Sequence, residues 1–351
     1  MKQLRNTVIR AGLGALYFSG AHFLLRPLVS GVGAIFMLHH VRPARDADFQ
    51  PNRHLEITPE FLRATLAYLK SRNIDIVTMD EAYLRLHDRN FARRFACFTF
   101  DDGYRDNRDH ALTVMREFAA PFTLFVTSDF AEGTGRLWWV ALERAIARAS
   151  SIEVEIGGAP VRLDTKGASA KQSAFDRLHG WLRSLPEHDL RREVSALCSR
   201  HGADEAAICG ELCMSWDELK SFADDPLVTI GGHSITHCNL AHQGEDVARD
   251  ELTVSRARIE GALQRPVVHL AYPYGDKIAA ASREFALARA AGYKTAVTTR
   301  PGMLFRENAD YLTALPRVSL NGNYQDARIL PVLTSGAATA MWNGFRRVDA
   351  A

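Results

Sequence analysis

The stretch CFTFDDGY, Cys97–Tyr104, decides how this chain is read. Cys97 to Phe100 suits a buried strand, and it runs directly into Asp101 and Asp102, then a glycine and a tyrosine. One explanation is a turn, because Asp-Gly is a common exit from a strand and Asp accepts hydrogen bonds from the backbone that follows. The other is chemical: two adjacent carboxylates with different tasks, one holding a metal ion and one moving a proton. The surrounding sequence has to separate the two.

Working outward from that strand, short β-rich runs alternate with helical patterns from about residue 32. Strands are expected at 33–41, 74–79, 94–100, 121–128, 227–232, 266–275, 294–299 and 314–320. Helices are expected at 58–73, opened by Thr58 as N-cap and Pro59 at the first helical position, and at 80–88 and 107–119. This βαβα order predicts an α/β fold with a parallel sheet or barrel and helices outside. The alternation breaks over about 129–215, where helical patterns flank a small hairpin; this reads as an insertion on a unit spanning 32–330. Residues 331–351 form a tail with a short helix and basic residues near its end.

A chain of 351 residues with 47% hydrophobic and 24% charged residues is a folded protein with a sizeable core. Its formal net charge of +2 gives no general argument for nucleic acid. Five cysteines, Cys97, Cys198, Cys209, Cys213 and Cys238, do not make the framework of a small disulfide-stapled domain, and a reducing compartment is expected. Residues 1–31 carry Lys2, Arg5, Arg10 and Arg26, no acid, and a moderately apolar run. Three readings stay open for them: a helix packed on the domain, a basic helix on an anionic membrane surface, or an export signal or anchor. The expected location is cytoplasmic, with peripheral contact at the inner face of the membrane as an option and export left open.

Two further stretches end strands. GGHSITH, Gly231–His237, places His233 and His237 four residues apart, so on a helical turn they would share a face. With Asp102 they make a three-ligand set that leaves an open position on a tetrahedral Zn²⁺, although N and O ligands also suit other divalent ions. Asp101 is then free to act as general base. In HLAYPYG, His269–Gly275, Pro273 fixes a turn; either two tyrosines pack it, or the Tyr274 N–H donates to a developing oxyanion.

Together, TFDDGY (99–104), HSITH (233–237) and YPYG (272–275) resemble the motifs of the polysaccharide deacetylase family, carbohydrate esterase family 4, which includes the nodulation-type chitooligosaccharide deacetylases. The resemblance covers roughly residues 33–130 and 212–320. It implies a distorted (β/α) barrel and metal-dependent removal of acetyl groups from sugars, with Asp101 as base and Asp102, His233 and His237 as metal ligands. The implied partner is an N-acetylated oligo- or polysaccharide; the oligomeric state is not implied.

Two departures from the family pattern matter. Its third motif often carries an arginine that pairs with the catalytic aspartate, where this chain has Ala271; Arg317 in LPRVSL is the candidate replacement, against a purely structural ion pair. Its last motif usually supplies a histidine to protonate the leaving amine, and ALPRVSLNGN contains none. His39, at the end of the first strand, is the candidate substitute, with His40 as its neighbour, whereas His269 inside a strand is expected to pack. Trp138 and Trp139 either stack on sugar or belong to the insertion's core. The leading expectation is an N-deacetylase of amino sugars in an oligosaccharide, surface polysaccharide or lipid-linked glycan. The alternatives are a nodulation-type chitooligosaccharide deacetylase and a non-catalytic glycan-binding protein that retains the metal site.

Overall fold

Eight parallel strands organise the molecule, which a computed structural model describes over residues 2–350. They are β1 (Gly33–Leu38), β2 (Asp75–Ile76), β3 (Phe95–Phe100), β4 (Phe122–Val126), β5 (Val228–Gly232), β6 (His269–Ala271), β7 (Thr295–Pro301) and β8 (Leu315–Ser319). Pairing runs β1-β8-β7-β6-β5-β4-β3 and returns from β3 to β1. Seven strands therefore close a barrel, and the two-residue β2 pairs with the start of β3. The expected (β/α) barrel is what the chain forms.

Side-chain alternation decides what the barrel mouth contains. Ile35, Cys97, Phe125, Ala271, Val297 and Leu315 cluster inside. Their neighbours Phe36, Phe98, Leu124, Leu270, Ala296 and Val318 pack outward beneath the helices. Because strand residues alternate between faces, the inward row of β3 continues through Thr99 to Asp101. That of β1 runs through Met37 to His39, and that of β8 through Arg317 to Ser319. Register brings these rows level: Leu38 pairs with Phe100, and the Asp101 N–H donates to the Leu38 carbonyl at 3.0 Å.

Several element boundaries differ from expectation. The helix Pro59–Ser71 starts as its sequence demands, with Thr58 accepting from the Phe61 N–H at 3.3 Å. The strand expected at 74–79 stops at Ile76, because Thr78 instead caps the helix Met79–His87 through the Glu81 N–H. The strand expected at 266–275 is only His269–Ala271; Pro266 and Pro273 bracket it and cannot donate to a ladder. The helix expected at 107–119 opens with a π turn, Asn107–Ala111, before Leu112–Glu117. That wider turn lets the Asn107 amide donate to the His39 carbonyl at 2.8 Å, pinning the end of β1 to the segment after β3.

The insertion between β4 and β5 has a core of its own. It comprises α3 (Trp138–Arg148), a hairpin of Ser151–Ile156 and Ala159–Asp164, α4 (Ala168–Leu182), α5 (Glu187–Arg200) and the helix Glu205–Leu212. Leu142, Ile146, Phe175, Leu178, Val194 and Leu197 pack together there. Its return to the barrel is clamped by Arg105, which donates to the carbonyls of Gly210, Glu211 and Cys213 and to the Glu218 carboxylate. Those carbonyls are the orphans that any helix C-terminus leaves. All five cysteines are buried and unpaired.

Residues 2–29 form α1 (Lys2–Phe18) and α2 (Ala21–Val29), bent by 93° at the break between them. Leu13, Leu16 and Val29 pack on Val332, Ala337 and Ala340 of α6 (Leu330–Ser335) and α7 (Ala337–Trp342), under the barrel's flank. Among the described residues, no single helix is long and apolar enough to cross a membrane.

The Arg105 clamp sets a pH window. Hydrogen bonds from Arg105 foremost, with the Ser215 N–H and Arg108, pull Glu218 down to about 2 against partial burial. A carboxylate lowered on folding contributes stability above its unfolded value, roughly 4.3, and loses it as pH falls toward the folded one. Glu218→Gln should therefore lower the urea midpoint by a constant amount above about pH 5, and the gap to wild type should narrow steadily below it.

Candidate active site

Three loops leaving β3, β5 and β6 meet at the barrel mouth, and each bends in the same unusual way. Asp102, Ser234, His237 and Tyr274 all have positive φ, between 60° and 75°. Non-glycine residues adopt that region at a cost, and such strain concentrates where side chains must be aimed. Gly103, also left-handed at φ 72°, follows Asp102 and completes a reversal that few other residues could make. The two histidines consequently do not lie on a helical turn, contrary to the sequence expectation. They are brought together by a loop in which the Ser234 hydroxyl accepts from the His237 N–H at 3.0 Å.

The result is a triangle of donors. Nε2 of His233 and Nε2 of His237 each lie 3.3 Å from Oδ1 of Asp102, and all three residues are buried. The His233 Nδ1–H donates to the Ala271 carbonyl at 2.7 Å, which fixes the tautomer and turns the Nε2 lone pair into the triangle. Asp102 Oδ1 is buried without a hydrogen-bond partner among the described residues, a costly state unless something else satisfies it. One carboxylate oxygen and two imidazole nitrogens within 4.8 Å of one another fit a divalent metal ion.

Asp101 stands beside this triangle and does not point into it. Both its oxygens are taken by the Arg317 fork, Nη1 to Oδ1 at 2.8 Å and Nη2 to Oδ2 at 2.7 Å. Arg317 is itself fully buried and donates further to the Thr298 carbonyl and the Thr99 hydroxyl. Burial pushes the Asp101 carboxyl up, and the charge and hydrogen bonds of Arg317 more than offset it, leaving it ionised. The arginine absent at Ala271 thus has its geometric counterpart on β8.

His39 places Nε2 3.9 Å from Asp101 Oδ2, and burial lowers its pKa against the pull of Asp101 and Asp102. His40 points away: its Nδ1 lies 2.6 Å from Asp106 and its ring stacks on Tyr104. His269 is buried against Thr295 and Asp80, outside the mouth, as its strand position suggested. The Tyr274 N–H has no hydrogen-bond partner among the described residues, and the phenol accepts from the Trp138 indole at 2.8 Å.

These groups surround a cavity of about 390 Å³. Its floor is the barrel mouth, and one wall belongs to the insertion: Trp138 and Trp139 of α3 with His179 of α4 and Arg183 just beyond it. Both tryptophans are core residues of the insertion and cavity-lining residues at once, with the Trp139 ring 4.9 Å from His237. Arg183 pairs with Asp276 at 3.0 Å and lies over the Tyr274 ring, tying the insertion to the β6 loop. Sequence reasoning missed Asn52, His54, His179, Arg183 and Asp276. They come from loops and from the insertion, and no local pattern marks them.

Comparison with known proteins gives the class. The polysaccharide deacetylase profile matches residues 88–296, and the chain belongs to that family. It is accordingly an enzyme, a carbohydrate deacetylase of the hydrolase class. Among solved structures, the Streptococcus pyogenes deacetylase PplD, in complex with acetate, is similar at 17% identity and a TM-score of 0.55, over 83% of this chain and 92% of that one. IcaB from Ammonifex degensii is 17% identical with a TM-score of 0.53, over 88% and 97%. The polysaccharide deacetylase BC0361 from Bacillus cereus is 17% identical with a TM-score of 0.54, over 86% and 68%. At these identities the likeness is one of fold. No protein of curated function matches.

Removing Arg317 would leave Asp101 charged and alone in the barrel. Arg317→Met should cost about 3–5 kcal/mol of stability in urea unfolding. Arg317→Lys keeps the charge without the fork and should fall between that variant and wild type.

Proposed function

We propose that the protein is a divalent-metal-dependent hydrolase, with Zn²⁺ as the ion, that removes N-acetyl groups from amino sugars of an oligosaccharide, surface polysaccharide or lipid-linked glycan. The observation that carries this reading is the adjacency of two carboxylates in opposite roles: Asp102 turned into a triangle with His233 and His237, Asp101 turned away and held ionised by Arg317. Binding alone would need no ionised carboxylate beside the ligands. Asp102, His233 and His237 would hold the ion, which when bound supplies Lewis acidity toward the acetamide carbonyl.

The chain's own groups account for the proton movements. Asp101 accepts a proton from the attacking water as general base. Arg317 is a positioning residue: its fork fixes both oxygens of Asp101, so the base cannot rotate out of line. The unpartnered Tyr274 N–H donates to the oxygen that becomes negative, a contact typically worth on the order of a hundred- to thousand-fold in rate. His39, neutral at rest and near Asp101, is placed to take up the proton that Asp101 gains from the water and to pass it to the departing amine. Trp138 and Trp139 present apolar surface beside these groups, suited to the face of a pyranose ring.

Two measurements test this. Metal-stripped protein reloaded with zinc should bind one ion per chain by elemental analysis, and Asp102→Ala and His233→Ala should lose it while keeping wild-type circular dichroism. The reloaded enzyme should release acetate from N-acetylglucosamine oligomers, and Asp101→Asn should lower the rate by roughly a hundred- to ten-thousand-fold with zinc still bound. Zinc binding without release from any acetylated amino sugar, free or lipid-linked, would overturn this substrate assignment.

A further inference from the structure

The end of the molecule built from α1, α2 and α7 has an outer surface unlike the rest. Phe23, Leu24 and Leu28 of α2 are 70%, 76% and 67% exposed, and Phe18, Trp342 and Phe345 are exposed as well. An ordinary solvent face of a helix is polar or charged. Here the outward positions of α1 include Val8, Ala11, Gly12, Ala15 and Phe18, and the first acid anywhere in the chain is Asp46.

Basic groups flank the apolar stripe on both sides. On the Phe23 side lies a cavity of about 100 Å³ lined by His22, Arg26, Tyr68, Arg72, Arg94 and Thr334, among others, with no carboxylate in its wall. Arg94 donates to the carbonyls of Ser30 and Thr334, yet its Nε is buried without a partner among the described residues. Arg72 rests on the Tyr68 ring, and none of the three arginines forms an ion pair among the described residues. Burial, and after it the like charge of Arg26, lowers the pKa of Arg94, so the cluster is short of negative charge. On the Leu28 side, a second cavity brings Leu28 beside Phe345, Arg346 and Arg347.

We propose that this end lies on the surface of a bilayer containing anionic phospholipids, with Phe18, Phe23, Leu24, Leu28 and Trp342 in the interfacial layer and a lipid phosphate seated between Arg26, Arg72 and Arg94. An apolar stripe between basic margins is the pattern of a helix lying in a membrane interface. The inward faces of α1 and α2 are already occupied by α6 and α7, which leaves this stripe facing outward. The inference is independent of the deacetylase reading, because it uses none of the groups in the catalytic cavity.

The test is co-sedimentation of the full-length protein with vesicles of phosphatidylcholine alone or mixed with phosphatidylglycerol. Binding should be stronger to the mixed vesicles by about an order of magnitude, and it should weaken with salt. Leu24→Ser with Leu28→Ser should reduce binding to both by roughly tenfold or more. Arg26→Gln with Arg72→Gln should remove the preference for anionic vesicles, which two arginines at roughly fivefold each suffice to supply. Each variant should keep the wild-type thermal midpoint, since the changed groups lie outside the core. Equal binding to both vesicle types overturns the proposal. So does binding of inorganic phosphate without vesicle binding. A dimer that the Leu24→Ser, Leu28→Ser variant converts to monomer, with no vesicle binding, would assign the stripe to a second copy of the chain and overturn it too.

Discussion

The ion pair between Arg317 and Asp101 is the constraint around which the barrel and its mouth are arranged. Two charges inside a protein lose several kcal/mol each in hydration, and only complete hydrogen bonding makes the pair tolerable. Here the guanidinium reaches both oxygens of Asp101, the Thr99 hydroxyl and the Thr298 carbonyl. That set exists only when β3, β7 and β8 are held around a closed ring through β1. Closing the barrel and holding Asp101 ionised are therefore the same event. The pair also separates two environments, with the apolar filling of Ile35, Cys97 and Leu315 inside the barrel and the polar cavity at its mouth.

A second constraint is conformational. Asp102, Ser234, His237 and Tyr274 are four of the nine non-glycine residues with positive φ among the described residues, and they fall in the three loops that meet at the cavity. Asp102 must turn its carboxylate away from Asp101 although the two are consecutive, and a left-handed backbone achieves this within one residue. In the histidine loop, the same device brings two imidazoles to one oxygen without a helix. Glu251 steadies that loop from outside by accepting from the N–H groups of Ile235 and Thr236 and from the Thr236 hydroxyl.

Much of this was legible because strands announce where they end. The run from Cys97 to Phe100 could only be buried, and period-two alternation carries its inward row to Asp101. His39 and Arg317 were named as stand-ins, at strand ends, for two residues missing from the family pattern, and the structure sets both beside Asp101. What escaped depends on backbone conformation and on long-range packing. The spacing of His233 and His237 suggested a helical turn, but spacing says nothing of φ, and Ser234 and His237 both turn left-handed. The ends of β2 and β6 were overdrawn because a cap at Thr78 and two prolines outweighed β-forming side chains nearby. Arg183 and Asp276 face the cavity as a pair only once α4 has docked, and nothing in either neighbourhood foreshadows the other.

The cavity's two halves come from bodies with separate cores. Barrel strands and their loops supply the charged groups, whereas Trp138, Trp139, His179 and Arg183 belong to a helical unit that buries Leu142, Phe175, Leu178 and Val194 within itself. The charged floor of the cavity and its aromatic wall thus rest on separate packing. Changes in α3 and α4 can be absorbed by the packing of that unit, leaving the barrel and its Arg317–Asp101 pair untouched. A chain built this way can reshape that wall while the floor stays fixed, as a vice can take new jaws on the same screw.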